Sequence, residues 1–352
     1  MVTRRIAIVG GGIGGLTLAA ALAQASGRGD GAGRFEVVVH EAQPERASLG
    51  SPLGLWPDAL RALERIGARG AVEAAGFRPG GGALRDLPGR ARVSAGGVDL
   101  LMVPRPALLA ALTSALTYAV RDAMPGGVRM LHEEVLAPDR LDADLVIGAD
   151  GVRSRVRGLV HPAAAQRRET PYVALRGSCG TVPEEAVGEY WGPGVLFGLV
   201  PVGQERGYWF TSHRSDLRPE PLDVAAVLAQ ARERFRGAAP IIGQVLRDAG
   251  VGTATTATRI WVTPPMPRYV RGRYAVIGDA AHAMTPNLGR GACAAIVDAV
   301  TLADAIRAGR PRAWQMRRLP ITQTERVASS VLMRVALRER WGGAGQRPRA
   351  GG

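Results

Sequence analysis

The chain has 352 residues, of which 46% are hydrophobic and 22% charged, which is ordinary for a globular protein long enough to form two domains. Its formal net charge is +14, and every basic residue is arginine; the absence of lysine excludes Schiff-base and lysine-general-base mechanisms. Two unpaired cysteines, Cys179 and Cys293, and five scattered histidines give neither a disulfide framework nor metal-ligand spacing, so we expect no metal.

The chain begins with an apolar strand over residues 4–9 that runs into Gly10-x-Gly12-x-x-Gly15 and then a helix from Leu16 to Gln24. This layout cradles a dinucleotide pyrophosphate, because glycines let backbone amides approach phosphates at the positive end of a helix. A second strand over Phe35–His40 ends at Glu41, an acid placed to bind the adenosine ribose. The glycines argue against a continuous signal-peptide helix, so we expect a cytoplasmic protein without a membrane span.

Beyond this unit, short strands and longer helices alternate, and the strands over 172–212 form a separate sheet. The predicted helices are Pro57–Ile66, 106–120, Leu222–Phe235, Gly291–Ile306 and Thr322–Trp341; the predicted strands are Leu145–Ala149, Tyr172–Arg176, Leu196–Val200, Gly207–Ser212 and Arg273–Ile277, with short hairpins over Phe77–Leu101. In the last helix, Thr322 and Glu325 fit a capping box. Val327, Val331 and Val335 form an apolar stripe typical of a helix packed on its own domain.

Far along the chain, another apolar strand over residues 273–277 ends in Gly278-Asp279. A nicotinamide dinucleotide needs only the first glycine motif. A flavin dinucleotide also carries a ribityl chain, and that chain needs a carboxylate of its own. The two motifs together therefore predict tightly but non-covalently bound FAD.

Four elements now stand in order along the chain: the glycine turn with Glu41, Arg105 at a helix start, Asp150-Gly151, and Gly278-Asp279 followed by Pro286-x-x-Gly289-x-Gly291. Over roughly residues 4–305 this set resembles the class A flavoprotein monooxygenases, the para-hydroxybenzoate hydroxylase family. The resemblance implies an α/β fold: a Rossmann-like FAD-binding domain of the glutathione-reductase type, an inserted mixed β-sheet substrate domain and a C-terminal helix. The expected boundaries are 1–75, 102–165 and 262–310 for the first domain, 76–101 and 166–261 for the second, 311–342 for the helical segment and 343–352 for a disordered tail.

The resemblance also implies a set of cofactor-binding residues, namely Gly10, Gly12, Ile13, Gly14, Gly15, Glu41, Ala42, Gly54, Arg105, Asp150, Gly151, Gly278, Asp279, Pro286, Gly289, Arg290, Gly291 and Ala292. Arg105 is expected on the pyrophosphate or ribityl oxygens. Asp150 either contacts FAD and transient NAD(P)H or ties down a turn. The common Gly-Gln-Gly of the family reads Gly289-Arg290-Gly291 here, which puts a charge near the flavin edge.

The activity implied is hydroxylation of a small aromatic or polyketide-like substrate, as in secondary metabolism: NAD(P)H reduces the flavin, O2 forms a flavin 4a-hydroperoxide, and its distal oxygen goes to the substrate. The cofactor carries the chemistry, so no catalytic side chain is assigned beyond the candidates Pro286, Asn287 and Arg290. The candidate pocket walls are Leu196, Leu199, Tyr208 and Phe210, with Pro286 and Asn287 opposite the flavin. Tyr208 and Phe210 share a strand face that Trp209 opposes.

Several alternatives stay open from the sequence. The same fold serves FAD-dependent epoxidases and non-oxygenating flavin reductases, and a third alternative is a non-catalytic protein that binds FAD or an acidic partner. Residues 307–349 hold eleven arginines against two glutamates; we expect this basic region to steer at most an anionic substrate, NADPH or an acidic carrier protein, and we expect no nucleic acid partner. His282 is expected to be structural because no acid lies near it in sequence, Cys293 to be packing, and Arg176 to be either an ion-pair residue or a substrate ligand.

Overall fold

The computed structural model describes residues 3–27, 35–47, 50–122, 127–218, 220–250 and 254–339. The strands are β1 (Arg4–Val9), β2 (Phe35–His40), β3 (Leu53–Leu55), β4 (Gly81–Asp86), β5 (Ala91–Gly96), β6 (Leu101–Val103), β7 (Val128–Leu131), β8 (Leu145–Gly148), β9 (Arg168–Cys179), β10 (Gly188–Gly192), β11 (Val195–Pro201), β12 (Gly207–Arg214), β13 (Thr256–Val262), β14 (Val270–Arg271) and β15 (Tyr274–Val276). The helices are α1 (Ile13–Gly27), α2 (Pro44–Ala47), α3 (Pro57–Arg65), α4 (Arg69–Ala75), α5 (Arg105–Asp122), α6 (Val156–Val160), α7 (Val224–Arg234), α8 (Pro240–Asp248), α9 (Asp279–His282), α10 (Gly291–Arg307) and α11 (Pro311–Ala336).

The first sheet has the strand order β14-β15-β8-β1-β2-β7, and its strands are parallel except for β14. Helix α1 packs against α5 and α10, and the apolar residues of β1, β2 and β8 are buried in the same core. In a parallel sheet the carboxyl ends of the strands lie at one edge. The glycine turn, Glu41, Asp150 and Gly278, which follow β1, β2, β8 and β15, therefore meet at that edge, although Gly10 and Gly278 are 268 positions apart in the sequence.

The second sheet has the order β13-β9-β12-β11-β10-β4-β5. It contains the predicted strands of the 172–212 region and the predicted hairpin, while β10, β13 and helix α8 were not predicted. One face carries Phe197, Leu199 and Trp209 and is covered by α7 and α8. The other face carries Leu196 and Phe210 and packs in part against the end of α11. The two faces of this sheet thus differ: one forms a core with α7 and α8, and the other is covered in part by the end of α11.

The C-terminal helix α11 is continuous from Pro311 to Ala336 and runs through Pro320. The prediction of a helix start capped by Thr322 was wrong. Thr322 lies inside the helix, where its hydroxyl donates to the carbonyl of Arg318 at 3.0 Å and lies 2.6 Å from the Tyr269 hydroxyl. Pro320 lies on the exposed side, where water can solvate the carbonyl that proline leaves without a donor.

The valine stripe of α11 does not pack on the domain, which corrects a second expectation. Val327, Val331 and Val335 are 50%, 44% and 38% exposed. The buried residues of the helix are Trp314, Thr322, Ser329, Met333 and Ala336. The helix therefore packs through a different, partly polar face. Residues 340–352, with the predicted tail, lie outside the described residues, and no helix among those described is long and apolar enough to cross a membrane.

Candidate active site

In the glycine turn after β1, Gly10 and Gly15 pack closely against backbone atoms, whereas Gly12 borders open space. Gly10 has φ +104°, and a Cβ there would lie 2.4 Å from the carbonyl oxygen of Ala149. A Cβ on Gly15 would lie 1.9 Å from the Gly10 carbonyl oxygen, so helix and strand meet with no room for a side chain. A Cβ on Gly12, in contrast, would meet nothing within 4 Å. The turn therefore leaves open space at the N-terminus of α1, as a pyrophosphate cradle requires.

Glu41 stands at the end of β2, beside this turn. Its carboxylate accepts the backbone N–H of Gly11 at 2.6 Å and that of Gln43 at 2.7 Å. These two bonds fix the carboxylate while each oxygen keeps a further lone pair. Ala42 follows it and is exposed. The geometry fits the acceptor that a nucleotide ribose needs.

Asp279 follows the left-handed Gly278, whose φ is +57°. Asp279 is exposed, and its carboxylate accepts no hydrogen bond from the described residues, while its backbone carbonyl accepts one from Thr263. A Cβ on Gly291 would lie 3.9 Å from Asp279 Oδ1, so this carboxylate and the N-terminus of α10 border one space. The first turn of α10 contains no acidic residue, which leaves its positive end uncompensated.

Arg105 opens α5 and lies across Gly50, where a Cβ would be 3.2 Å from Arg105 Cδ. Burial lowers the pKa of Arg105, the charge of Asp279 raises it in part, and the charge of Arg176 lowers it further. The guanidinium is therefore within electrostatic reach of both residues. A half-buried cation beside a free carboxylate fits a ligand that carries both anionic oxygens and hydroxyl groups.

Asp150 follows β8 and organises its own turn. Its Oδ2 accepts the backbone N–H of Arg155 at 2.8 Å and, more weakly, that of Val156 at 3.4 Å, while its Oδ1 is buried without a partner among the described residues. Burial raises the pKa of Asp150, and hydrogen bonds from Ser154 and the backbone lower it in part. The turn-forming role is thus visible, and one oxygen is left for a ligand. The adjacent Gly151 has φ +70° and open space around it.

The loop before α10 holds further unsatisfied polar atoms. Pro286–Leu288 is a short 3₁₀ turn, and Asn287 Oδ1 is buried without a partner in the described part of the chain. The indole Nε1 of Trp56 is likewise buried and unpaired, and a Cβ on Gly289 would lie 3.8 Å from it. Buried polar atoms without partners are expensive, so their presence indicates a bound group that would satisfy them.

The side chain of Arg290 is directed away from this space, which corrects the expectation of a charge at the flavin edge. Its Nη1 and Nη2 donate to the Asp58 carboxylate at 2.9 and 2.6 Å, and its Nε donates to Glu325 at 2.9 Å. Arg290 thus joins α3 to α11 and is not placed as a catalytic group. No local pattern announces these partners, because Asp58 lies 232 residues away in sequence.

His282 lies in a buried network that the sequence did not reveal. Its Nε2 is 2.6 Å from Asp298 Oδ2, which also accepts the backbone N–H of Gly278 at 3.2 Å. Arg318 donates to Asp298 Oδ1 at 2.7 Å. The histidine is structural, as expected, but the reason given was wrong, because its acid lies one helix further along the chain. Asp298 supports the Gly278 turn from behind and links it to α11.

The remaining cofactor candidates lie at the starts of α1 and α10 and on β3. Gly14, next to Ile13 at the start of α1, faces Ile277, and Ala292 lies in the first turn of α10. Gly54 packs against Leu100, and its carbonyl accepts the Cys293 thiol at 3.4 Å. Burial raises the pKa of Cys293 to about 11, so this thiol stays protonated and serves packing.

The candidate substrate wall is one face of the second sheet. Tyr208 and Phe210 share that face with ring centroids 5.8 Å apart, and Phe210 lies over Gly198, where a Cβ would be 2.1 Å from its ring. Leu199 belongs to the opposite face, in the core with Trp209, so its assignment to the pocket was wrong. Leu196 is on the same face as Tyr208 and Phe210 but is buried in a cluster that includes Met333 of α11. The alternation of side chains along a strand defines two faces, but it does not show which of them the helices cover.

Comparison with known proteins gives the same picture. Residues 127–310 match the family described as FAD binding domain. The aurachin C monooxygenase/isomerase of Stigmatella aurantiaca is 32% identical over 322 residues, covering 85% of this chain and 79% of the relative. The FAD-dependent urate hydroxylase of Klebsiella pneumoniae is 30% identical over 348 residues, covering 92% and 87%. The crystal structure of Klebsiella pneumoniae HpxO complexed with FAD and uric acid aligns with a TM-score of 0.77 at 26% identity, over 95% of this chain and 89% of that one.

These similarities agree with the cleft at the edge of the first sheet. FAD is the cofactor, and the protein is an FAD-dependent oxidoreductase, so the non-catalytic alternative is wrong. The chain belongs to the class A flavoprotein monooxygenases, the para-hydroxybenzoate hydroxylase-like family.

Proposed function

We propose that the protein uses NAD(P)H and O2 to hydroxylate a small aromatic or polyketide-like molecule. The observation that carries this proposal is that the Asp279 carboxylate borders the N-terminus of α10, while Arg105 is within electrostatic reach both of Asp279 and of Arg176, which stands on the face of the second sheet that holds Tyr208 and Phe210. FAD, when bound there, supplies a redox ring that accepts hydride from a nicotinamide and activates O2.

The residues of the first sheet bind and polarise the cofactor. Backbone N–H groups around Gly12 would receive the pyrophosphate, and Glu41 and Asp279 would accept hydroxyl groups of the ribose and the ribityl chain. The uncompensated N-terminus of α10 favours negative charge in its vicinity by about 0.3–1 kcal/mol, so it would favour the anionic reduced form of a flavin held there.

The residues of the second sheet position the substrate and exclude water. Tyr208 is 7% exposed, and Phe210 lies flat on the sheet because Gly198 has no side chain. An aromatic wall of this kind stacks on a planar substrate and keeps the reacting groups dry. No nucleophile is required, and the buried thiol of Cys293 is not available as one.

The relatives act on different molecules, since one is named for urate and another for aurachin C. Their names support a planar heteroaromatic or aromatic substrate and leave epoxidation or simple flavin reduction as alternatives of the same fold. We also propose the domain division given by the sequence, with 76–101 and 166–261 as the substrate domain. The second sheet, built from strands between Gly81 and Val262, supports that division.

The test is substrate-stimulated NADPH oxidation by the FAD-loaded protein under ¹⁸O2, screened against aromatic acids, quinolones and purines. We expect one product that gains a single ¹⁸O atom and keeps its ring unsaturation, as hydroxylation requires. Asp279→Ala, loaded with excess FAD, is the matched control for cofactor-dependent turnover. A product that gains two hydrogens without ¹⁸O would identify a reductase, and a saturated C–O–C product would identify an epoxidase.

A further inference from the structure

Arg176 lies in the middle of β9, within the wall assigned to the substrate. In the antiparallel register it stands opposite Phe210 of β12 and Thr256 of β13. Directly opposed residues project from the same face of a sheet. The guanidinium therefore stands beside the aromatic pair Tyr208 and Phe210, away from the core beneath α7 and α8.

The charge of Arg176 is not neutralised by the protein. Its one hydrogen bond within the described ranges is from Nη1 to Thr258 Oγ1, at 2.8 Å, and it forms no ion pair there. Other arginines of the same sheet region are paired: Arg259 with Glu169 at 3.3 Å and Arg167 with Glu220 at 3.3 Å. A half-buried guanidinium held by one neutral hydroxyl keeps most of its donors for a ligand.

Arg176 also lies close to the cofactor edge. Its charge lowers the pKa of Arg105, which burial already lowers. It also lowers the pKa of Tyr208, which burial raises and a hydrogen bond with Ser51 lowers as well. Arg105 is thus within electrostatic reach of a second cation, Arg176, and of one carboxylate, that of Asp279. Arg105 and Asp279 belong to the proposed cofactor side, so Arg176 is the cation of this group that stands on the second sheet; Arg214 projects from the same face but lies over Tyr172.

We infer that the substrate carries an acidic oxygen group, a carboxylate or an enolate, and that Arg176 binds it while Phe210 stacks on the attached ring. This inference rests on the proposed function and specifies the substrate class within it. A planar guanidinium pairs with a carboxylate through two parallel hydrogen bonds, which fixes the orientation of the ring as well as its charge. Thr258 holds the guanidinium in one orientation, so less side-chain freedom is lost on binding.

The test uses three aromatic carboxylates, namely salicylate, anthranilate and benzoate, each compared with its neutral amide. Binding is measured by the change in the visible flavin spectrum of the FAD-loaded protein. Wild-type protein should bind at least one carboxylate more tightly than its amide. Arg176→Gln should weaken that carboxylate roughly ten- to a hundredfold and leave the amide within about twofold, with unchanged flavin content. Arg176→Lys, which keeps the charge without the planar fork, should fall between the two.

Arg214→Gln is the matched control, because Arg214 is an exposed arginine of β12 that stacks over Tyr172 at 5.5 Å. It should bind the carboxylate like the wild type. Equal losses of carboxylate and amide in Arg176→Gln would overturn the inference, as would a wild type that binds none of the three carboxylates. A raised Michaelis constant for NADPH with unchanged carboxylate binding would assign Arg176 to the reductant and also overturn it. Failure of ¹⁸O incorporation would instead count against the proposed function, because carboxylate binding is measured without turnover.

Discussion

Arg290 joins the loop before α10 to α3 and to α11, and its replacement tests whether α11 stabilises that loop. In Arg290→Gln, Asp58 and Glu325 lose their shared cation, and the turn over 286–288 loses its tether to α3 and α11. We expect lower stability and weaker FAD binding. The Gln is a conservative test, because the family commonly carries that residue between the two glycines.

The magnitude follows from the exposure of the three side chains. Arg290 is 23% exposed, Asp58 33% and Glu325 16%, so the cluster lies between a surface pair and a buried one. Exposed pairs contribute about 0.2–1 kcal/mol, and hydrogen bonds to charged groups about 1.5–3 kcal/mol. Loss of the ion pairs with both carboxylates should therefore lower the free energy of unfolding by about 2–4 kcal/mol. The Arg290–Glu325 coupling alone should be about 1–2 kcal/mol.

The assay is urea unfolding of the FAD-loaded protein, followed by flavin fluorescence, for Arg290→Gln, Glu325→Gln and the double variant. Arg129→Gln removes the exposed pair with Glu36 and should change the free energy of unfolding by at most about 1 kcal/mol. A coupling energy below about 0.3 kcal/mol would mean that Arg290 and Glu325 act independently, and the argument for a tether would then be wrong.

Three further predictions follow from the buried and exposed charges. Asp279→Ala should weaken FAD binding roughly ten- to a hundredfold in a fluorescence titration of the apoprotein. Asp150→Ala should weaken it less, because one oxygen of Asp150 already accepts a hydrogen bond within its own turn. The reverse order would show that the two aspartates have been assigned the wrong way round. Asp298→Asn leaves a buried histidine and arginine without their anion, so the free energy of unfolding should drop by about 3–5 kcal/mol, and an unchanged urea midpoint would refute this. Burial lowers the pKa of His213 from 6.5 to about 4, so only the unfolded chain takes up this proton between those values. Stability should therefore fall as the pH drops from about 6.5 to about 4, by up to about 3 kcal/mol from this group, and His213→Gln should lose that part of the pH dependence; equal pH profiles would contradict it.

The sequence was most informative where a short pattern has one physical solution. The strand, turn and helix from Arg4 to Gly27 and the strand over Phe35–His40 were predicted because glycine spacing and apolar runs are local. The meeting of these motifs at one sheet edge followed from parallel strand order. The candidate residues for FAD could be named for the same reason, because they are largely backbone groups of a glycine turn and acids at strand ends.

The sequence was least informative where a side chain depends on a distant partner. Asp298 and Arg318 lie 16 and 36 residues beyond His282, and neither position shows a motif. The valine spacing of α11 has the helical period, but period alone cannot say which side the rest of the protein covers. The prediction that Leu199 lines the pocket was wrong for the analogous reason. Alternation along the strand identifies two faces, and only the packing of α7 and α8 shows that the face with Leu199 is buried.

The position of α11 at the end of the chain has a consequence for biosynthesis. A ribosome completes Arg290 and Asp298 before it adds Arg318 and Glu325, and Ser329, which bonds Thr285, comes later still. Until that helix leaves the exit tunnel, Arg290 has only Asp58 as its ion-pair partner and Asp298 has only His282, because Glu325 and Arg318 are still missing. The order of synthesis therefore leaves the bracing of the loop before α10 to the last helix, and a chain that stops short of α11 would have its glycine turn formed and this loop without its contacts to Glu325 and Ser329.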